Sequence, residues 1–227
     1  MAVRTVIQRG PKDRKSVAFS LDWAGWERGA KTGELALETL GAYRERYRPI
    51  ADLAGMSSDF DAAGPLEVVE DMVGTPSVDF WGISFSPSSL EPEPMNDADL
   101  ERGITLLQAC WAYFDAVAAR VSPQMRQGPR GGGRDRDRII RHVIRNESED
   151  FAKQVGLRIP EEAALTPEGL RQHRESYIPA MRAYNRGEVS RRMRTWNLPY
   201  LIRHSAYHTL DHAWEMEDKD LSGENAA

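Results

Sequence analysis

A single cysteine, Cys110, among 227 residues excludes an internal disulfide framework and any zinc site built on paired cysteines. Because Cys110 lies in an apolar helical run, we read it as core packing rather than a reactive thiol. Long apolar stretches are also missing. No run approaches the roughly 18 residues that a membrane span needs, and residues 1–10 lack the apolar core of a signal peptide, so the expected location is the cytoplasm. Neither sign of charge dominates: 30 Lys and Arg face 35 Asp and Glu, a net charge of -5, and the basic residues are scattered rather than gathered into a stripe. A nucleic-acid partner is therefore not expected. What remains, 41% hydrophobic and 29% charged residues, is the balance of a folded globular protein.

Histidine is scarce as well, and its placement carries the first functional signal. Three of the five histidines, His204, His208 and His212, recur every four residues near the C-terminus. On an α-helix such residues stack on one face about 6 Å apart, and two imidazoles one turn apart can turn onto one ion. A further ligand then has to come from another element.

Residues 1–90 read as short strands around a helix. β-branched residues at 3–8 and 16–21 flank a charged loop at 9–15 with Gly10-Pro11, a hairpin signature. Thr32 is placed to cap a helix carrying Leu35, Leu37, Leu40 and Tyr43, which is expected to end before Pro49. Residues 66–73 and 78–85 read as two further strands. The stretch 17–26, which holds Trp23 and Trp26, and the stretch 31–38 after it resemble the HicB-type antitoxin domain. That resemblance implies an α+β sheet for dimerisation or partner contact. We take both tryptophans as core or interface aromatics, because indole buries so much apolar area.

Residues 86–94, with Pro87, Pro92 and Pro94 in a Ser/Glu-rich stretch, read as a linker, and the rest as helix. Asn96 or Asp97 caps a run through Val121 whose Leu100, Ile104, Leu107, Trp111, Phe114 and Val117 form one apolar stripe. Residues 122–133 form a loop, and a second helix follows over 134–155. Thr166-Pro167 starts a third, stopped by Gly187, and a fourth runs over 198–221. The fold expected is α+β: an N-terminal sheet domain (1–90), then an all-α four-helix bundle (95–221) and a disordered tail (222–227). His142, beside the Ile139/Val143 stripe, points toward the core and is the candidate third ligand, whereas His173, between Gln172 and Arg174, reads as solvent-exposed.

This half resembles the DinB-like superfamily of metal-binding four-helix bundles, which includes thiol-dependent S-transferases for bacillithiol and mycothiol and mycothiol-dependent maleylpyruvate isomerases. His142 matches the family's isolated histidine and His208 with His212 its His-x-x-x-His pair. His204 matches an additional histidine of some members, which leaves a register of His204 with His208 open; we prefer the later pair. The resemblance implies one divalent ion held by His142, His208 and His212. Zinc, nickel, iron and manganese all accept three imidazoles.

Glu215 follows His212 by three, and is read either as the catalytic acid/base, as a carboxylate holding a ligand imidazole, or as a solvated residue. Residues 147–150 read as an exposed acidic face, Glu149 included, and Arg141 and Arg145 as surface residues rather than substrate clamps. The function expected is a metal-dependent transferase or hydrolase acting on a small-molecule substrate, with a low-molecular-weight thiol as cosubstrate. The rival readings are a non-catalytic interaction protein with a structural metal and a toxin-neutralising module. Exposed sheet edges favour a homodimer.

Overall fold

The computed structural model describes residues 1–128, 133–189 and 196–223. It is an α+β protein whose described residues form four strands and nine α-helices. They group into two compact units, one of Met1–Cys110 with Trp196–Tyr207, the other of Trp111–Thr195 with His208–Ala227. No helix among the described residues is long and apolar enough to cross a membrane.

In the first unit, β1 (Val3–Arg9) and β2 (Ser16–Ser20) form the expected antiparallel hairpin, with Thr5 opposite Ser20 and Arg9 opposite Ser16. β3 (Glu27–Ala30) pairs with the free side of β2, and β4 (Leu66–Val73) joins β1 in parallel, giving the order β3-β2-β1-β4. A parallel partner requires a crossover, and three helices supply it: α1 (Gly33–Ala42), α2 (Arg44–Leu53) and α3 (Ser57–Asp61). Thr32 caps α1 by accepting the Leu35 N–H. The helix stops at Tyr43, and α2 then continues through Pro49, held by the buried Tyr47, Ile50 and Ala51. Trp23, Trp26, Tyr47 and Phe60 pack ring against ring, centroids 4.8 to 6.3 Å apart. The Trp26 indole donates to Leu40 O and the Tyr47 hydroxyl to Ala24 O, so these two polar tips are satisfied.

The expected strand over 78–85 is absent; α4 (Pro76–Trp81) occupies its start. Pro76 at the first helical turn and Gly82 at φ 72° just past the last are helix punctuation, and they outweigh the strand preference of Val78, Phe80 and Trp81. The proline-rich stretch 86–94 is tied down by polar groups. Gln8 donates to Ser86 O, and the buried Glu91 accepts from Ser88 N–H. Glu91 also receives two bonds from Arg203, whose third nitrogen reaches the buried Glu27.

The second unit is helical. It draws on the last part of α5 (Asp97–Arg120), α6 (Arg136–Arg145), α7 (Glu161–Ala164), α8 (Pro167–Asn185) and the last part of α9 (Leu198–Asp218). Asp135 caps α6 by accepting from Arg138 N–H, Thr166 caps α8 by accepting from Gly169 N–H, and Gly187 at φ 73° follows its end. After α6 the chain widens into a π-helical turn at Asn146–Phe151, then tightens at Ala152–Val155. The core gathers Phe114, Val117, Val121, Met125, Ile139, Val143, Ala213 and Met216. Residues 224–227 of the expected tail, and 129–132 of the expected loop, lie outside the described residues.

Two residues read as exposed are buried. His173 retains 2% exposure, stacked on Tyr177, and Glu147 also 2%, bonded by Arg174, which in turn reaches Asp115. The polar neighbours of His173 in sequence follow the helix surface away from it, and the Glu147 charge is matched across to α8. Burial pushes the Glu147 carboxyl up and holds His173 down at about 4. Glu149 is exposed, paired with Arg145.

Candidate metal centre

Two helices supply three imidazoles. On α6, Ile139 and Val143 enter the core and fix the rotation of the helix, so that His142, next to Val143, is half-buried at the core margin. On α9, Ala213 and Met216 do the same for His208 and His212. The spacing of four then puts those two rings one above the other, centroids 4.7 Å apart. The ring of His142 lies 5.1 Å from that of His208 and 4.9 Å from that of His212. One nitrogen from each falls within 4.8 Å of the other two, and His142 Nε2 and His208 Nε2 are 3.2 Å apart. The Phe151 ring stands edge-on to His208 at 5.4 Å, an apolar wall supplied by the end of the π-helical turn.

The donor set fits a divalent transition metal. Two imidazole nitrogens on one tetrahedral ion, each at about 2.0–2.1 Å, are roughly 3.3 Å apart, which the His142–His208 pair already matches. Ligand imidazoles have to be neutral. Burial first, and the neighbouring His212 second, hold His142 down at about 4, so that its ring is unprotonated at neutral pH.

Hydrogen bonds around the rings orient them. His212 Nδ1 donates to Glu215 Oε2 at 2.7 Å, which leaves Nε2 as the ligand atom, and Lys219 donates to the other oxygen of Glu215. The His212 bond, followed by Lys219, holds the Glu215 carboxyl down at about 2, so it is ionised at neutral pH. The Asn146 carboxamide nitrogen donates to His142 O and lies 3.2 Å from His142 Nδ1. Lys219 and Asn146 escaped the sequence reading. Each stands four residues from its partner, so the helical spacing was the signal that could have found them.

His204 stands elsewhere. It is buried in the first unit among Phe85, Trp196 and Tyr200, ring centroids 5.2 to 5.3 Å away. Burial, then the charge of Arg203, pulls it down to about 3. Arg141 and Arg145 both reach Glu161, so neither presents an unengaged guanidinium. Cys110 is fully buried, and burial raises its thiol far out of the reactive range. No family model, curated protein or solved structure matches this chain.

Proposed function

We propose that the protein is a DinB-like metalloprotein in which His142, His208 and His212 hold one divalent ion within a four-helix bundle, and that it transfers or hydrolyses a small substrate with a low-molecular-weight thiol as cosubstrate. The observation that carries this reading is the convergence of three imidazole nitrogens within 4.8 Å, one of them braced by a carboxylate. Three protein ligands leave a position open, which is the arrangement of catalytic rather than closed structural sites. A divalent ion held there supplies Lewis acidity and lowers the pKa of a coordinated water or thiol, making a nucleophile available at neutral pH.

The chain's own groups do the positioning. Glu215 fixes the tautomer and rotation of His212, and Lys219 fixes Glu215. As a carboxylate already bonded on both oxygens, Glu215 acts through His212 rather than as a proton shuttle to substrate. Phe151 and the half-buried setting of the rings limit the approach of bulk water.

The test is cobalt substitution followed by visible spectroscopy. Wild type is expected to bind one cobalt per chain with an absorption that shifts when a small thiol is added. A spectrum indifferent to thiols and to substrate analogues would turn the site into a structural one. Absence of stoichiometric metal would remove the proposal altogether.

A further inference from the structure

Ile139 and Val143 enter the core of the second unit at a four-residue step, and the next position in that row is Glu147. An apolar residue is what the row calls for. A carboxylate stands there instead, 2% exposed, and nothing in the metal chemistry above uses it. Its charge is matched from α8, where Arg174 gives it three hydrogen bonds of 3.0 to 3.3 Å. The same guanidinium reaches Asp115 of α5 at 2.8 Å and lies over the Trp111 ring at 4.9 Å. A buried ion pair adds little stability over apolar groups of the same size, so its presence asks for another reason.

Position supplies one. Glu147 stands on the π-helical turn Asn146–Phe151, directly after Asn146, which bonds His142, and four residues before Phe151, which walls His208. Its own carbonyl closes a wide ring, accepting from the Ala152 N–H five residues on rather than four. The buried Ser148 hydroxyl donates to Ile144 O and Arg145 O, in the stretch where the ladder changes step. The widening matters for Phe151. At about 100° per residue, nine steps of unbroken α-helix would put Phe151 roughly opposite His142. A π turn absorbs one extra residue, so Phe151 takes the place that position 150 would have had, about 80° from His142, and the rings of both residues reach His208.

We infer that Glu147 is a positioning residue of the candidate metal centre: fastened to Arg174, it holds the wide turn that brings Phe151 against His208. For its consequence, an apolar wall beside the ion, the inference rests on the metal reading above; the ring contact stands without it. The fastening is firm because Arg174 is itself held on two other sides, which leaves the turn little freedom to slip back to four-residue steps. Released, the turn regains α geometry, and Phe151 swings about 100° away from His208.

The experiment uses two variants of the full chain. Glu147→Leu combined with Arg174→Met replaces the ion pair by apolar groups of similar size, and is expected to unfold in denaturant at or above the wild-type midpoint. In metal-free protein, nuclear Overhauser contacts between the Phe151 and His208 ring protons are expected in wild type and not in the double variant. Competition with a chromophoric chelator should then show zinc bound about tenfold more weakly by the double variant. Arg174→Lys keeps the charge and loses the fork, and should weaken both the ring contact and, several-fold, the zinc affinity. It decides alone if the double variant fails to fold. A folded variant with the wild-type ring contact and zinc affinity overturns the inference. So does a loss of affinity with the contact intact, which would leave Glu147 a purely electrostatic effect. A wild type that binds no zinc removes the function proposed above, and the ring contact then decides: kept in the double variant it overturns the role of Glu147, lost it supports that role.

Discussion

His204 and His208 stand one turn apart on the same helix, and they belong to two different kinds of environment. His204 is enclosed by three aromatic rings in the first unit and held neutral by burial. His208 meets two other imidazoles, with Nε2 of His142 at 3.2 Å. Spacing along a helix decides which residues can share a face; what stands opposite that face decides whether an imidazole packs or coordinates.

The largest effect that can break this contrast is ligand removal. His208→Ala and His142→Ala are each expected to lower metal affinity by about two to four orders of magnitude, since a complete structural zinc site is worth about 10–16 kcal/mol and each variant removes one of three protein ligands. Elemental analysis after gel filtration should then find metal in wild type and none in either variant. His204→Ala should leave the metal in place and lose about 2–4 kcal/mol of stability in denaturant melts, by opening a cavity among the rings. Metal loss in His204→Ala with retention in His208→Ala would shift the site one turn toward the N-terminus.

A smaller effect separates the two histidines by pH. His204 is held at about 3, against an ordinary value of 6.5. The unfolded chain therefore takes up a proton that the folded chain refuses, and stability falls as pH drops from about 6.5 toward about 3. The slope is up to about 1.4 kcal/mol per pH unit, and the full contribution is present above about pH 6.5. His204→Phe should flatten that slope in melts taken across the range; an unchanged slope would mean that other groups carry the acid lability.

The smallest effects test the braces. Glu215→Gln keeps the shape and removes the charge behind His212, and a loss of about 10–100-fold in metal affinity is expected from competition with a chromophoric chelator. Lys219→Ala, one bond further out and partly exposed, should cost less than about 1 kcal/mol. Equal losses in the two variants would argue that Glu215 acts through general electrostatics and not by orienting the ring.

Much of this was legible in the chain itself. The Gly10-Pro11 hairpin, the Thr32 and Thr166 caps and the extent of α5 are set by neighbours a few residues away, and they stand where sequence signals put them. The four-residue step of His208 and His212 likewise places two rings together whatever the rest of the protein does. Local signals failed where they competed or where a partner was distant. At 76–81, Thr75-Pro76 and Gly82 overrode residues that favour strands. His173 and Glu147 looked exposed among charged neighbours, yet Arg174 and the packing around Tyr177 cover them.

Sequence by itself determined the α+β class, most of the helix starts and the candidacy of the histidines, because capping and periodicity act over one or two turns. Only the tertiary structure decided which three of five imidazoles meet and that His204 is sealed among aromatic rings. The meeting of His142 with His208 and His212 depends on residues far apart in the chain, brought together by burial of the Ile139/Val143 and Ala213/Met216 faces in one core, and the enclosure of His204 depends on the distant ring of Phe85.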